Sequence, residues 1–129
     1  MSDQLPAWAG RERVDDPIYR VEEITVAPGE RARFAQRLSD EYLPAVERQG
    51  CDLLHVWVDP PIEVADRPTH FIVSWRIDGT HGFWSAKRVA AGEASLEAFW
   101  ASMGPSVSER RMRFARTFPG LDPTDRVSP

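Results

Sequence analysis

Cysteine is almost absent from this chain of 129 residues: Cys51 is the only one, so no disulfide can form within it. A single thiol suits a reducing compartment, and we expect the protein to be cytoplasmic. The sequence has no run of about 18 apolar residues, so we expect no membrane span. Its first residues are polar and charged, and they lack the apolar stretch of a secretory signal.

An excess of positive charge is also missing. The chain has 16 lysine and arginine residues against 20 aspartate and glutamate residues, a net charge of −4, which argues against a nucleic-acid binder. It contains no Cys-x-x-Cys motif, no histidine pair at helical spacing and no glycine-rich phosphate loop, so we expect no metal and no cofactor. Haem is not expected, because only His81 is predicted to lie on a helix beside a pocket.

The remaining composition is typical of one soluble domain, with 42% hydrophobic and 28% charged residues. Residues 1–17 are predicted to form an irregular arm whose main apolar side chain is Trp8. Residues 18–118 carry the periodic patterns of a single folded domain. Residues 119–129 are rich in Pro, Asp and Ser, which is typical of a mobile tail.

Hydrophobic periodicity predicts the elements of this domain. Apolar residues recur four apart at Phe34, Leu38, Tyr42 and Val46, which predicts a helix over residues 30–49. Pro44 removes a backbone donor and should kink that helix near residue 40, and Gly50 should end it. Strands are predicted over residues 18–27, 51–58, 69–77 and 111–118, and a divided helix over residues 80–91, capped by Thr80, and about 95–108, capped by Ser95.

The order β-α-β-β-α-β predicts a ferredoxin-like α+β fold, in which a four-stranded antiparallel sheet carries helices on one face. The central hairpin is apolar at both parities. Cys51, Leu53, His55 and Trp57 share one parity of its first strand, with the remaining apolar residues of that strand on the other. Because helices can cover only one face, we expect a second copy of the chain on the other face, in a two-fold homodimer.

The chain resembles the NIPSNAP-like branch of the dimeric α+β barrel superfamily over residues 18–118. The matching segments are residues 26–29 (Val-Ala-Pro-Gly) and 41–50 (Glu-Tyr-Leu-Pro-Ala-Val-Glu-Arg-Gln-Gly), Trp75 just before Asp78, and Phe99-Trp100 with Gly104-Pro105, Arg111, Met112 and Phe114 after them. The resemblance implies that two sheets pack face to face into a barrel, with a pocket in each subunit between sheet and helices. The superfamily includes cofactor-independent oxygenases, isomerases, haem enzymes and proteins of unknown role.

The candidate catalytic residues are those that titrate near neutrality or polarise a carbonyl, namely His55, His70, His81 and Arg76. Each has a structural alternative: a packed histidine, an exposed one, or a surface pair of Arg76 with Asp78. The candidate substrate-binding residues are aromatic: Trp57, Trp75, Phe83, Trp84, Phe99 and Trp100. Glu22 and Glu23 are adjacent on a strand, so one of them must face inward; the alternative is a salt bridge to Arg111 or Arg113.

Two function classes follow from these residues. One is a small enzyme that acts without a redox cofactor on a flat, hydrophobic, aromatic or polyketide-like metabolite, by proton abstraction that leads to oxidation, isomerisation or cyclisation. The other is a non-catalytic protein that binds a small molecule or a protein partner, in which the tryptophans belong to the core or an interface. A pocket on which a histidine and an arginine converge would favour the enzyme.

Overall fold

The computed structural model describes residues 16–91, 94–121 and 123. Trp8 and the predicted arm up to residue 15, like most of the predicted tail, lie outside these residues. The strands are β1 (Ile18–Val26), β2 (Asp52–Asp59), β3 (Thr69–Ile77) and β4 (Val107–Ala115). The helices are α1 (Arg31–Arg37), a π-helical turn (Leu38–Tyr42), α2 (Leu43–Glu47), α3 (Gly79–Ala91), α4 (Ala94–Met103) and a 3₁₀ turn (Gly104–Ser106).

The four strands form one antiparallel sheet in the order β2-β3-β1-β4. This order confirms the predicted ferredoxin-like α+β fold, since β1 lies between β3 and β4 and the two edge strands are β2 and β4. The helices pack on one face. Their side of the sheet carries the even-numbered residues of β1, the odd-numbered residues of β3 and the even-numbered residues of β4.

The core lies between the helices and the two central strands. The apolar stripe predicted for the first helix is fully buried there, and Phe34 contacts Phe71 and Phe99 with ring centroids 5.0 and 6.4 Å apart. Tyr42 packs on Phe99 and on Trp100 at 5.2 and 5.0 Å. No helix in the described part of the chain has both the length and the apolar character needed to cross a membrane.

The predicted helix over residues 30–49 is interrupted by the π-helical turn, which includes residue 40, where Pro44 is expected to disturb the helix. The N–H of Leu43 donates to the carbonyl of Leu38, five residues back. Pro44 has no N–H to offer the carbonyl of residue 40, so the regular ladder cannot continue through this point. Gly50 ends the segment with a φ of 91°, a conformation that favours glycine.

The expectation that Leu53, His55 and Trp57 share one face of β2 is wrong. A bulge between Leu53 and His55 inserts one extra residue opposite β3. Leu53 pairs with Trp75 on the helix side, whereas His55 and Trp57 pair with Ser74 and Ile72 on the open side. The exposed apolar residues of β2 therefore divide between the two faces. The open face is mixed, and the expectation that both faces of the hairpin are largely apolar is also wrong.

Three elements have boundaries that differ from the sequence prediction in ways that matter for the fold. Strand β4 begins at Val107 and ends at Ala115, four and three residues before the predicted limits of residues 111 and 118. Helix α3 begins at Gly79, so Thr80 lies in its first turn and is not its cap. Helix α4 ends at Met103, because Gly104 takes a φ of 51° and Pro105 follows it in the 3₁₀ turn.

Candidate functional site

Two charged side chains of β1 point towards the helices and not into water. Alternation along the strand places Arg20 and Glu22 on the same side as the core residues Ile24 and Val26. Glu22 is 2% exposed, so its carboxylate depends on protein partners. One of the two adjacent glutamates therefore faces inward, as expected. Glu23 points to the open face and forms the alternative salt bridge, with Arg113 at 3.2 Å.

Glu22 accepts three hydrogen bonds from three different elements. Nε1 of Trp75 donates to Oε2 at 2.8 Å, and Nη2 of Arg20 donates to Oε1 at 3.2 Å. The hydroxyl of Tyr42 also donates to Oε1. Nη2 of Arg20 donates to that same hydroxyl at 3.0 Å, which gives a directed chain from the guanidinium through the phenol to the carboxylate.

Burial and the Glu22 carboxylate both raise the pKa of Tyr42 far above its ordinary value, so its phenol stays protonated. Burial alone would lower the pKa of Arg20, but the neighbouring Glu22 and Tyr42 outweigh it and the net shift is upward. Tyr42 is therefore a fixed hydrogen-bond donor and Arg20 a permanent cation. The arrangement holds charge and direction in place and offers no free base.

A pocket of about 560 Å³, the larger chamber, opens beside this chain between the sheet and the helices. Its polar wall contains Arg20, Glu22 and Tyr42, and Trp100 lies against Tyr42. Leu96, Glu97, Gln49, Arg110 and Met112 complete it. A second pocket of about 360 Å³, the smaller chamber, shares Arg20, Gln49 and Met112 and is otherwise lined by Ile77, Phe83, Ala86, Lys87 and Phe114. The two chambers adjoin through these shared residues, and together they are called the cleft.

The wall that the chambers share carries polar atoms with no protein partner. Gln49 is 4% exposed, and neither its Nε2 nor its Oε1 has a hydrogen-bond partner among the described residues. The same holds for Nε of Arg20. Buried polar groups in proteins are nearly always hydrogen-bonded, so three unpartnered atoms on one cavity wall form a set of two donors and one acceptor.

Each chamber also has a cation against aromatic rings. The Arg110 guanidinium lies 4.0 Å from the ring centroid of Trp100 in the larger chamber. In the smaller one, Nζ of Lys87 lies 4.9 Å from the Phe83 centroid and 5.5 Å from that of Phe114. Neither cation forms a salt bridge within the described ranges.

The four predicted catalytic residues lie away from these chambers. His55 is exposed on the open face and stacks on Trp57 at 4.6 Å. His70 is on the same face, with Nδ1 3.0 Å from Oγ1 of Thr25. Arg76 is exposed there too and pairs with Asp78 at 3.4 Å. His81 is exposed in the first turn of α3.

The six predicted substrate-binding aromatics are not brought together in one place. Trp100 lines the larger chamber and Phe83 the smaller, while Trp75 is buried beneath Glu22. Phe99 belongs to the core. Trp57 and Trp84 are exposed on different sides of the molecule, 51% and 54% respectively.

A shallower groove of about 420 Å³ runs along the open face of the sheet. Its lining is strongly polar and contains Glu23, Thr25, Asp59, His70, Ile72, Glu109 and Arg111. Here His70 and Arg111 do share a depression, together with three carboxylates. No group of three metal-ligating side chains that could hold an ion occurs in the part of the chain that is described.

Sequence reasoning did not find Arg20, Tyr42, Gln49 or Lys87. The alternation of β1 carries a signal for the first, because Arg20 and Glu22 occupy two successive inward positions of a strand whose other inward residues are apolar. Tyr42 fits the apolar stripe of the predicted helix, so its position in the sequence gives no sign of a polar role. Gln49, just before Gly50, carries no local signal.

No protein-family model and no curated protein matches the sequence. Among solved structures, the chain has the ferredoxin-like fold of NIPSNAP family proteins, so the resemblance is confirmed at the level of the fold. Two such proteins come from Agrobacterium tumefaciens. One, of unknown function, superimposes with a TM-score of 0.64 at 6% identity, covering 84% of this chain and 95% of that one. The other gives 0.65 at 11% identity and covers 88% and 95%.

An uncharacterised NIPSNAP domain protein from Burkholderia xenovorans gives a TM-score of 0.62 at 17% identity, covering 82% of this chain and 98% of the other. At such identities the likeness concerns the path of the backbone. A shared backbone path does not specify a ligand or a reaction, so the chemistry of this chain has to be argued from its own side chains.

Proposed function

We propose that the protein is a non-catalytic binder of a small organic molecule, which occupies the two chambers between the sheet and the helices. One observation carries this proposal: the buried amide of Gln49, with both polar atoms unpartnered, stands beside Nε of Arg20 on the wall that the chambers share. A ligand with a carbonyl, hydroxyl or amide group would satisfy these atoms, while its apolar part contacts Leu96, Trp100 and Met112.

Catalysis has less support than binding. The titratable groups expected to move protons, His55 and His70, face the open side of the sheet, across from the chambers. Within the chambers, Tyr42 holds its proton tightly and Glu22 accepts from three donors. These buried groups fix the orientation of a ligand, and neither of them is a free acid or base.

A fluorescent apolar probe tests the proposal. Phenylnaphthylamine, which is neutral, should bind saturably at one site per chain. Met112→Trp should weaken this binding at least ~tenfold, because Met112 lines both chambers and the larger ring fills the space between them. Ala101→Trp is the matched control, since this exposed position on α4 lines neither chamber. Unsaturable binding, or equal affinity in Met112→Trp and wild type, would overturn the proposal.

We further propose that two copies pair through the open face of the sheet. The support is chemical: Trp57 on β2 and Ile72 on β3 present apolar surface there, and the β4 side of the same face carries acidic groups such as Glu109 and basic groups such as Arg111. A face that carries both signs of charge is self-complementary under two-fold symmetry.

The buried, unpaired thiol of Cys51 supports a reducing compartment such as the cytoplasm.

A further inference from the structure

We infer that the ligand is a monoanionic amphiphile whose apolar body extends from the larger chamber into the smaller one and whose acid group is held by Lys87. This inference rests on the proposed binding function and names the chemical class of the ligand. It follows from the charges around the smaller chamber, from the rings around Lys87 and from the position of Glu22.

Among the described residues, those that line the smaller chamber include two cations and no acidic side chain. The first cation, Arg20, is already compensated by Glu22 at 3.2 Å. The second, Lys87, forms no salt bridge with any described residue, so one positive charge at the chamber is left over. A ligand with a single negative charge balances it.

Lys87 is exposed, and three aromatic rings surround its ammonium group. Nζ lies 4.9 Å from the Phe83 centroid, 5.5 Å from that of Phe114 and 5.9 Å from that of Trp84. Rings on several sides limit the directions in which the ammonium can turn and place apolar surface beside it. An acid group on Lys87 would therefore have the apolar body of its own molecule in contact with Phe83 and Phe114.

Glu22 decides which end of the ligand carries the charge. Its buried carboxylate is close to Arg20 and repels a second carboxylate placed deep in the cleft. The acid group therefore belongs at Lys87, at the exposed rim, and a neutral polar group belongs at Gln49 and Nε of Arg20. The larger chamber is less selective for anions, because Glu97 lines it together with Arg110.

Two dyes with one skeleton test the inference. Anilinonaphthalene sulfonate carries an anionic group that phenylnaphthylamine lacks, and both report binding by fluorescence. Lys87→Gln should weaken the anionic dye about three- to tenfold more than it weakens the neutral dye. Raised salt should weaken the anionic dye in wild type and lose this effect in the variant. Arg88→Gln is the matched control, because it removes the same charge from the next residue of α3, outside the chamber.

The outcomes separate the inference from the proposed function. If both dyes bind wild type equally and Lys87→Gln changes neither, the ligand class is wrong while the binding site stands. If Arg88→Gln weakens the anionic dye as much as Lys87→Gln, the general charge of the helix is responsible and the inference fails. If neither dye binds saturably, the proposed function itself fails.

Discussion

At the scale of single residues, the cleft depends on polar groups that are costly to bury. Glu22 and Arg20 compensate each other, and Tyr42 and Trp75 supply the remaining donors to the carboxylate. Gln49 differs, since its amide is buried without a protein partner. A buried amide without a partner lowers the free energy of unfolding, and such a cost is typical of a group that binds a ligand.

Gln49→Met should stabilise the ligand-free protein by about 1 kcal/mol, because it removes two buried polar atoms that gain nothing from the fold. The same change should weaken binding of a ligand that carries a hydroxyl or carbonyl group. Urea unfolding measures the first effect. Gln36→Met is the control: Gln36 is exposed and bonded to Asp40 at 2.7 Å, so its effect should stay within about 0.5 kcal/mol. A clear loss of stability in Gln49→Met would show that the amide is well bonded.

Alkaline pH should unfold the protein through Tyr42. Burial raises its pKa in the folded state, so between the ordinary value of 10.0 and the higher folded value the native state holds a proton that the unfolded state releases. Stability is therefore fully present below pH 10.0 and falls as the pH rises further. Tyr42→Phe should show a smaller decline in the free energy of unfolding over that range. Equal slopes in the two proteins would contradict this assignment.

At the scale of elements, two departures from regular structure decide on which face side chains lie. The π-helical turn changes the helical phase between Leu38 and Pro44, in the segment where Tyr42 meets Glu22. The bulge in β2 changes the face on which His55 and Trp57 appear. Two glycines, one inside a helix and one just after a helix, provide opposite tests of the backbone conformation.

Gly82→Ala should stabilise the protein by about 0.5–1 kcal/mol, because Gly82 lies inside α3 and an added Cβ would meet Ile77 at an ordinary 3.4 Å. Gly50→Ala should destabilise it by about 1 kcal/mol, although nothing lies within 4 Å, because Gly50 has a φ of 91°. Thermal unfolding of both variants measures the pair. If both variants change the stability in the same direction, one of these two glycines does not have the backbone conformation described above.

At the scale of the whole molecule, the two faces of the sheet have different roles. The helix face buries the core and forms the chambers, while the open face carries His55, His70, Trp57 and Arg76. The residues that look most reactive therefore share the face proposed to meet a second chain. In that assembly they would line the space between two sheets.

Trp57→Lys should shift the protein from dimer to monomer, because it replaces a large apolar side chain of the proposed contact with a charge. Trp84→Lys is the matched control, since Trp84 is equally exposed, at 54% against 51%, but lies on α3 on the other side of the sheet. Sedimentation velocity at micromolar concentration measures both. A monomeric wild type, or a Trp57→Lys protein that still dimerises, would contradict the proposed pairing.

The sequence by itself determined the order of the elements, the ferredoxin-like fold and the inward position of one of Glu22 and Glu23. These features follow from patterns that repeat every two or three to four residues, and each is set within one segment. The interruption of the first helix before Pro44 belongs with them, because a missing N–H acts on its own turn.

Only the tertiary structure decided where the cleft lies and what lines it. Arg20, Tyr42, Gln49 and Lys87 come from four separate segments, and their meeting depends on how helices and sheet pack. The bulge in β2 reversed the faces of His55 and Trp57, since one extra residue inverts every later position in a strand. Local periodicity records which side of an element is buried, but it does not record which elements meet there.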